Sequence, residues 1–317
     1  MVFFVYLDPP VFSAAAKAGP LGLDALAAVL RGFLQNCVLL DFDDWRWETG
    51  VRQALSTHER TFENSLVKKL LVQLKKRDRI EPCFRDDYSG KTEMNLVLAQ
   101  ANEAELDLIL ADSHVAHPNG GQFEIAKLED YQQTAFEAKR SEAAANGREY
   151  SGGELAEGDF LIANFRKALK FATRIDICDA VFGRSFADNY EHTLRLLLGF
   201  LDGELVERET CELTIHCEQS ARSHHLLTQL AKHRPLGLSK LKITVIFYIR
   251  PPSAQCLPHE RYLATNQFGF EIGRGMDFLD GGTGRNRDVS INLKDADVIR
   301  DKLIPFRSFS APAQIVA

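Results

Sequence analysis

Residues 258–277 read Pro-His-Glu-Arg-Tyr-Leu-Ala-Thr-Asn-Gln-Phe-Gly-Phe-Glu-Ile-Gly-Arg-Gly-Met-Asp. Two short apolar runs, Arg261–Thr265 and Phe268–Ile272, are joined only by Asn266 and Gln267, a pattern that predicts two strands connected by a tight turn. Upstream, residues 242–249 form a strongly apolar strand stopped by Pro251-Pro252, since proline has no N–H to donate to a ladder. Further strands are expected at 174–181 and 213–217, with helices at 160–171, 188–202 and 219–233 between them. Downstream, 289–293 is again strand-like. Strands alternating with helices make this half an α/β unit.

The first 115 residues show the same rhythm. Residues 2–7 and 37–42 read as strands, and between them Leu23, Leu26, Leu30 and Phe33 have helical spacing. Residues 60–76 are expected to form a second helix, with Leu66, Leu70, Leu71 and Leu74 on one face and Lys68, Lys69, Lys75 and Lys76 on the other. The apolar run 106–110 leads into Ala111-Asp112-Ser113, as at the end of a parallel strand. From 117 to 158 the composition shifts to Asn, Gly, Ala, Glu and Gln, which marks a boundary. The reading is therefore a two-domain α/β protein: a three-layer domain at 1–117, a linker or partly helical connection at 118–158, and a second α/β domain at 159–317. A length of 317 residues suits two such units.

Composition narrows the function classes. With 45% hydrophobic and 26% charged residues the chain is an ordinary globular protein, and it contains no apolar run of about 20 residues that would span a bilayer. The net charge of −6, from 38 basic and 44 acidic side chains, argues against a basic coat for nucleic acid but leaves room for a local cationic patch. Six cysteines without a C-x-x-C pair read as reduced thiols, so the expected compartment is the cytoplasm.

The chemistry concentrates at 259–275. Residues two apart in a strand face one way, so His259 and Arg261 are expected to project together. Arginine offers planar, charge-assisted hydrogen bonds to phosphate oxygens, and histidine serves as nucleophile or proton donor. Gly273 and Gly275 allow close backbone approach to a ligand, with Arg274 between them. Arg184, in Gly183-Arg184-Ser185-Phe186 between a strand and a helix, sits where backbone amides favour an anion.

The spacing of His259, Arg261, Asn266 and Gly273 resembles the H-x-K-x(4)-D-x(6)-G-S motif of the phospholipase D superfamily. Arg261 replaces the family's lysine, Asn266 its aspartate, and Arg274 its serine. The wording His-x-Arg and Ile-Gly-Arg-Gly-Met-Asp-Phe is similar to the degenerate phospholipase-D-like domain at the C-terminus of MIT-domain proteins and to related bacterial domains, over about residues 160–310. The resemblance implies a metal-independent phosphodiesterase, more a nuclease than a lipase, in which His259 attacks phosphorus or protonates the leaving oxygen. In this role Arg261 clamps phosphate, Asn266 orients the histidine, and Arg184, Gly273, Arg274 and Gly275 complete the pocket. One motif per chain implies a homodimer, no cofactor, a nucleic-acid or other phosphodiester partner, and by analogy a setting in prokaryotic defence. The alternative is a catalytically degenerate module that binds phosphate, nucleic acid, acidic lipid or a protein.

Other features have ordinary readings beside functional ones. Asp8, Asp41, Asp43, Asp44, Glu48 and Asp112 fall near predicted strand ends, where carboxylates hold divalent metal in nucleases of the PIN or RNase H type. Strand ends are also common places for turn and capping aspartates, and the alternative role of this half is to bind a protein partner. Arg285-Asn286-Arg287-Asp288 reads as a solvated turn, and His224, His225 and His233 as surface histidines.

Overall fold

The computed structural model describes residues 1–42, 46–58, 62, 65–83, 93–113, 115–116, 118, 121–145, 147–150, 157–184, 188–204, 210–233, 241–250, 257–273, 275 and 288–316. It is mixed α/β, and its contacts divide it into two compact units, Met1–Ala145 and Asn146–Ala317.

The first unit is built on five strands: β1 (Phe3–Leu7), β2 (Cys37–Asp41), β3 (Ile80–Pro82), β4 (Leu108–Leu110) and β5 (Glu124–Ala126). Their order is β3-β2-β1-β4-β5, and every pairing is parallel. Every residue of β1 and β2 is buried, as expected when both faces of a parallel sheet are covered. Two helices, α1 (Pro10–Lys17) and α2 (Pro20–Asn36), lie between β1 and β2, where the sequence suggested one. Gly19 separates them with φ +72°, a conformation glycine adopts without strain, and Pro20 then opens α2.

Next come α3 (Trp47–Ala54), α4 (Leu66–Lys76) and α5 (Glu93–Gln100). Helix α4 begins at 66 because the Ser65 hydroxyl accepts from the Lys68 N–H, and it buries Val67, Leu70 and Leu74, leaving Leu66 exposed. The Trp47 indole N–H donates to the Leu7 carbonyl at 2.6 Å, tying α3 to the end of β1.

The expected linker at 118–158 is instead divided between the two units. β5 completes the first sheet, and α6 (Ala135–Ala145) is fastened to the C-terminal end of α2. Buried Arg140 donates to the Gly32 carbonyl at 3.1 Å, Gln35 Oε1 at 2.9 Å and Asn36 Oδ1 at 3.3 Å, while Glu137 accepts from it at 2.7 and 2.8 Å. A cation at a helix C-terminus satisfies carbonyls that have no helical partner. Composition flagged polar residues here, but Phe136 and Arg140 anchor the helix.

The second unit carries β6 (Arg148–Tyr150), β7 (Arg174–Cys178), β8 (Cys211–Glu218), β9 (Leu241–Tyr248), β10 (Arg261–Thr265), β11 (Phe268–Ile272), β12 (Val289–Asp295) and β13 (Gln314–Val316). The sheet order is β13-β9-β8-β7-β10-β11-β12-β6, with only β7, β8 and β9 mutually parallel. Its helices are α7 (Glu157–Leu169), α8 (Ala180–Arg184), α9 (Asp188–Glu204), α10 (Ser223–His233) and α11 (Ala296–Leu303). On one face Phe165 meets Phe270 edge-on at 5.1 Å. On the other, Ile299 and Leu303 of α11 pack with Cys178, Tyr262 and Ala264. A Cβ at Gly269 would collide with Ile299, so glycine there lets α11 lie on the sheet. No helix among the described residues is long and apolar enough to cross a membrane.

Replacing Arg140 by methionine leaves Glu137 and the end of α2 without their donor, so the expected loss is about 2–4 kcal/mol. Both tryptophans lie in residues 1–145, so a urea titration followed by tryptophan emission reports this unit.

Candidate functional site

β7, β8 and β9 run in one direction through the second sheet, and the chain then returns to place β10 on the other side of β7. β10 is antiparallel with Tyr262 opposite Cys178, so its beginning meets the carboxyl end of β7. Ligand crevices in α/β sheets form at such switch points, outside the carboxyl ends of the strands. Because Arg261 pairs with Ile272, Gly273 and Gly275 come to the same edge.

That edge is lined with cations over buried carboxylates. Asp179, directly after β7, is fully buried, accepts from the Val181 N–H at 2.8 Å and lies 3.9 Å from Arg261 Nε. Glu218, the last residue of β8, is buried and lies 4.0 Å from the half-exposed Arg250, just beyond β9. Exposed Arg222 precedes α10, in a turn where its N–H donates to Ser220 Oγ, which in turn donates to the Gly183 carbonyl at 2.6 Å. Exposed His259 stands in the bend before β10. His259, Arg261, Gly273 and Gly275 therefore share one edge, joined by Arg222 and Arg250, which the sequence reading did not select.

Asn266 does not belong to this group. It lies beyond the far end of β10, where its Oδ1 accepts from the Thr173 N–H at 3.0 Å and its own N–H donates to the Arg174 carbonyl at 3.0 Å. Seven residues of largely extended chain place it roughly 20 Å from His259. The expected role of Asn266 in orienting the histidine is thereby corrected: it ties the turn between β10 and β11 to the start of β7. Thr265 supports the same turn, its hydroxyl accepting from the N–H groups of Gln267 and Phe268. The expected joint projection of His259 and Arg261 is also changed, since His259 precedes the strand. Arg274, the side chain of Arg184, and Arg285, Asn286 and Arg287 lie outside the described residues.

A buried polar chain escaped sequence reading. Asp176 on β7 meets His216 Nε2 at 3.2 Å, and His216 Nδ1 lies 3.0 Å from the Tyr248 hydroxyl. Arg174 approaches the same carboxylate at 2.8 and 3.0 Å. Burial alone would raise the Asp176 carboxyl, but hydrogen bonds from His216 and Arg174 outweigh it and hold the group below its usual range. Burial pushes the Tyr248 hydroxyl up to about 12. The available signal was a polar residue interrupting each of two apolar strands, but only their pairing brings the two together.

The expected carboxylate site of the first unit is distributed differently. Asp8 follows β1 and its N–H donates to the Leu110 carbonyl at 2.9 Å; Asp41 accepts from the Trp47 N–H at 3.3 Å; Glu48 pairs with Lys75 at 2.6 Å. Asp112 is exposed after β4, whereas Asp43 and Asp44 lie outside the described residues. Among the described residues no group of three or more His, Cys, Asp or Glu side chains is placed to hold a metal ion. His224 and His225 are exposed, and His233 contacts Glu191 at 2.9 Å.

No protein-family model matches the chain, and no curated protein does. Among solved structures, it aligns with the Argonaute of Marinitoga piezophila in complex with 5′ OH guide RNA at 8% identity. The alignment covers 95% of this chain and 48% of that one with a TM-score of 0.16, so the chain spans about half its length. A superposition that poor carries no argument about fold or function.

The depressed Asp176 carboxyl contributes stability that is present above its unfolded value and disappears as pH falls through the folded one. Asp176→Asn is expected to cost about 2–3 kcal/mol at neutral pH. The difference from the unchanged chain should shrink in acid, below about pH 4, as read by circular dichroism in urea.

Proposed function

We propose that residues 146–317 form a phospholipase-D-like module that binds a phosphodiester strand without cleaving it. The observation that carries this reading is the separation of Asn266 from His259: the motif's amide is engaged by Thr173 at the opposite edge. A histidine acting on phosphorus needs a group that fixes its ring and supports its charge. Among the described residues no side chain is hydrogen-bonded to the His259 ring, so the arrangement supports contact with phosphate more than attack on it.

Binding has clearer support. Arg250 follows β9, Arg222 follows β8 and Arg261 begins β10, along the run β9-β8-β7-β10 in which strands are spaced about 4.8 Å apart. A row of guanidinium groups over these four strands, about 14 Å from end to end, matches several phosphates of a single-stranded nucleic acid better than one isolated head group. Asp179 and Glu218, buried behind Arg261 and Arg250, restrict where those arginines point. This explains how a chain of net charge −6 holds a polyanion, because the binding edge is a local concentration of positive charge. The module requires neither a metal ion nor a second copy of His259.

Fluorescence anisotropy with a labelled single-stranded oligonucleotide in EDTA tests the reading. Arg261→Ala and Arg250→Ala should each weaken binding and lower the slope of log affinity against log salt by about 1. His259→Ala should leave affinity largely unchanged, and the oligonucleotide should remain intact. Cleavage in EDTA that His259→Ala abolishes would overturn the reading in favour of a phosphodiesterase. Cleavage that survives His259→Ala but needs metal would move the chemistry to other residues.

A further inference from the structure

After α11 the chain turns back along β9. Residues Ile304–Phe309 form a 3₁₀ turn, and the segment that follows pairs antiparallel with β9 and leads into β13. Backbone contacts fasten it to the carboxyl end of that strand: the Ile249 N–H donates to the Phe309 carbonyl at 2.8 Å, the Ala311 N–H donates to the Phe247 carbonyl at 2.7 Å, and Ser310 bridges Tyr248. Side chains at i and i+3 of a 3₁₀ turn eclipse, so Phe306 and Phe309 lie on one side of it. Both pack on the cluster that contains Cys178, Tyr248, Leu257 and Tyr262, and each keeps part of its surface in solvent. Ile249, 57% exposed, stands beside Phe309 and directly before Arg250. Arg307 is exposed and forms no ion pair among the described residues. Its charge opposes the upward push of burial on the Tyr248 hydroxyl, so the guanidinium lies near the same end of β9. Residues 251–256, which follow Arg250, include no acidic side chain.

We propose, building on the phosphodiester reading of this edge, that Phe306, Phe309 and Ile249 hold unpaired bases of the bound strand while Arg307 takes a further phosphate. The ligand is then a single-stranded nucleic acid held by its bases as well as its phosphates, rather than a duplex, a polyphosphate or a lipid head group. Every base has a π-face, and stacking on an aromatic ring stabilises it with little regard to sequence. In a duplex those faces are covered by the neighbouring pairs. The core seats Phe306 and Phe309 before binding, so little ordering is needed when a base arrives. Continuity decides the occupant: Arg222 and Arg250 stand at the carboxyl ends of β8 and β9, and the apolar surface begins at Ile249, the residue before Arg250. A strand whose phosphates follow these arginines has its bases within reach of that surface. Phe306-Arg307-Ser308-Phe309 supplies both kinds of contact from one turn.

The probes are a labelled single strand of about 12 nucleotides, an abasic strand of the same length that keeps every phosphate, and the matching duplex, each titrated into the full chain in EDTA. The abasic strand and the duplex are both expected to bind at least about tenfold more weakly than the single strand, a difference of about 1.4 kcal/mol. Phe309→Leu keeps apolar volume against the core but removes the ring; it should weaken the base-bearing strand about fivefold or more and narrow its advantage over the abasic one. Arg307→Ala, at an exposed position, should weaken both strands and lower the salt slope by about 1. Equal affinity for the base-bearing and abasic strands, or for single strand and duplex, would overturn the base site and leave the phosphate edge standing. An advantage of the base-bearing strand that Phe309→Leu does not narrow would also overturn it, by moving the bases to other residues. Failure of all three probes to bind would overturn the phosphodiester reading itself.

Discussion

The seating of β10 on β7, with Tyr262 opposite Cys178 and Thr265 opposite Ile175, is the constraint on which the second unit depends. β7, β8 and β9 are parallel, so their carboxyl ends and the loops that follow them lie at one edge. An antiparallel neighbour brings its amino end to that edge and carries its carboxyl end to the opposite one. His259 and Arg261 consequently join Asp179 and Glu218, whereas Asn266 is placed beside Thr173. A single pairing thus decides which members of a linear motif share a site.

Burial of charge organises both units. An isolated ion in the interior is costly unless paired and hydrogen-bonded. Asp176 meets this requirement through His216 and Arg174, and Arg140 through Glu137 and the end of α2. Asp179 and Glu218 differ because their arginines stand 3.9 and 4.0 Å away, beyond hydrogen-bonding distance and within reach of solvent. Those carboxylates hold Arg261 and Arg250 at the edge of the sheet by charge rather than by a direct hydrogen bond. The Asp176 chain acts as a polar pin across β7, β8 and β9 through Asp176 Oδ1, while the buried Oδ2, 3.9 Å from Arg300 Nε, has no hydrogen-bond partner among the described residues.

The first unit divides its polar and apolar resources differently. Its parallel sheet is covered, and the carboxylates near its strand ends are used locally: Asp41 receives the start of α3, and Glu48 pairs with Lys75. Among the described residues, a groove of about 510 Å³ lined by Trp47, Val51, Leu55 and Val72 lies between α3 and α4.

The sequence by itself determined the α/β class and most of the elements. Apolar alternation and tight turn residues are local properties, and the strands Arg261–Thr265 and Phe268–Ile272 were legible to the residue. It also located the stretch from His259 to Gly275 as the place of interest. It could not reveal that 124–145 belongs to the first unit, because Arg140 finds its partners more than a hundred residues away. Nor could it show that Asp176, His216 and Tyr248 form one chain, or that Arg222 and Arg250 stand with Arg261. Spacing along a strand determines which face a side chain takes, but the direction of the neighbouring strand determines the end of the sheet it reaches. That direction is a property of tertiary pairing, which is why it separated Asn266 from His259 despite their matching interval in the sequence.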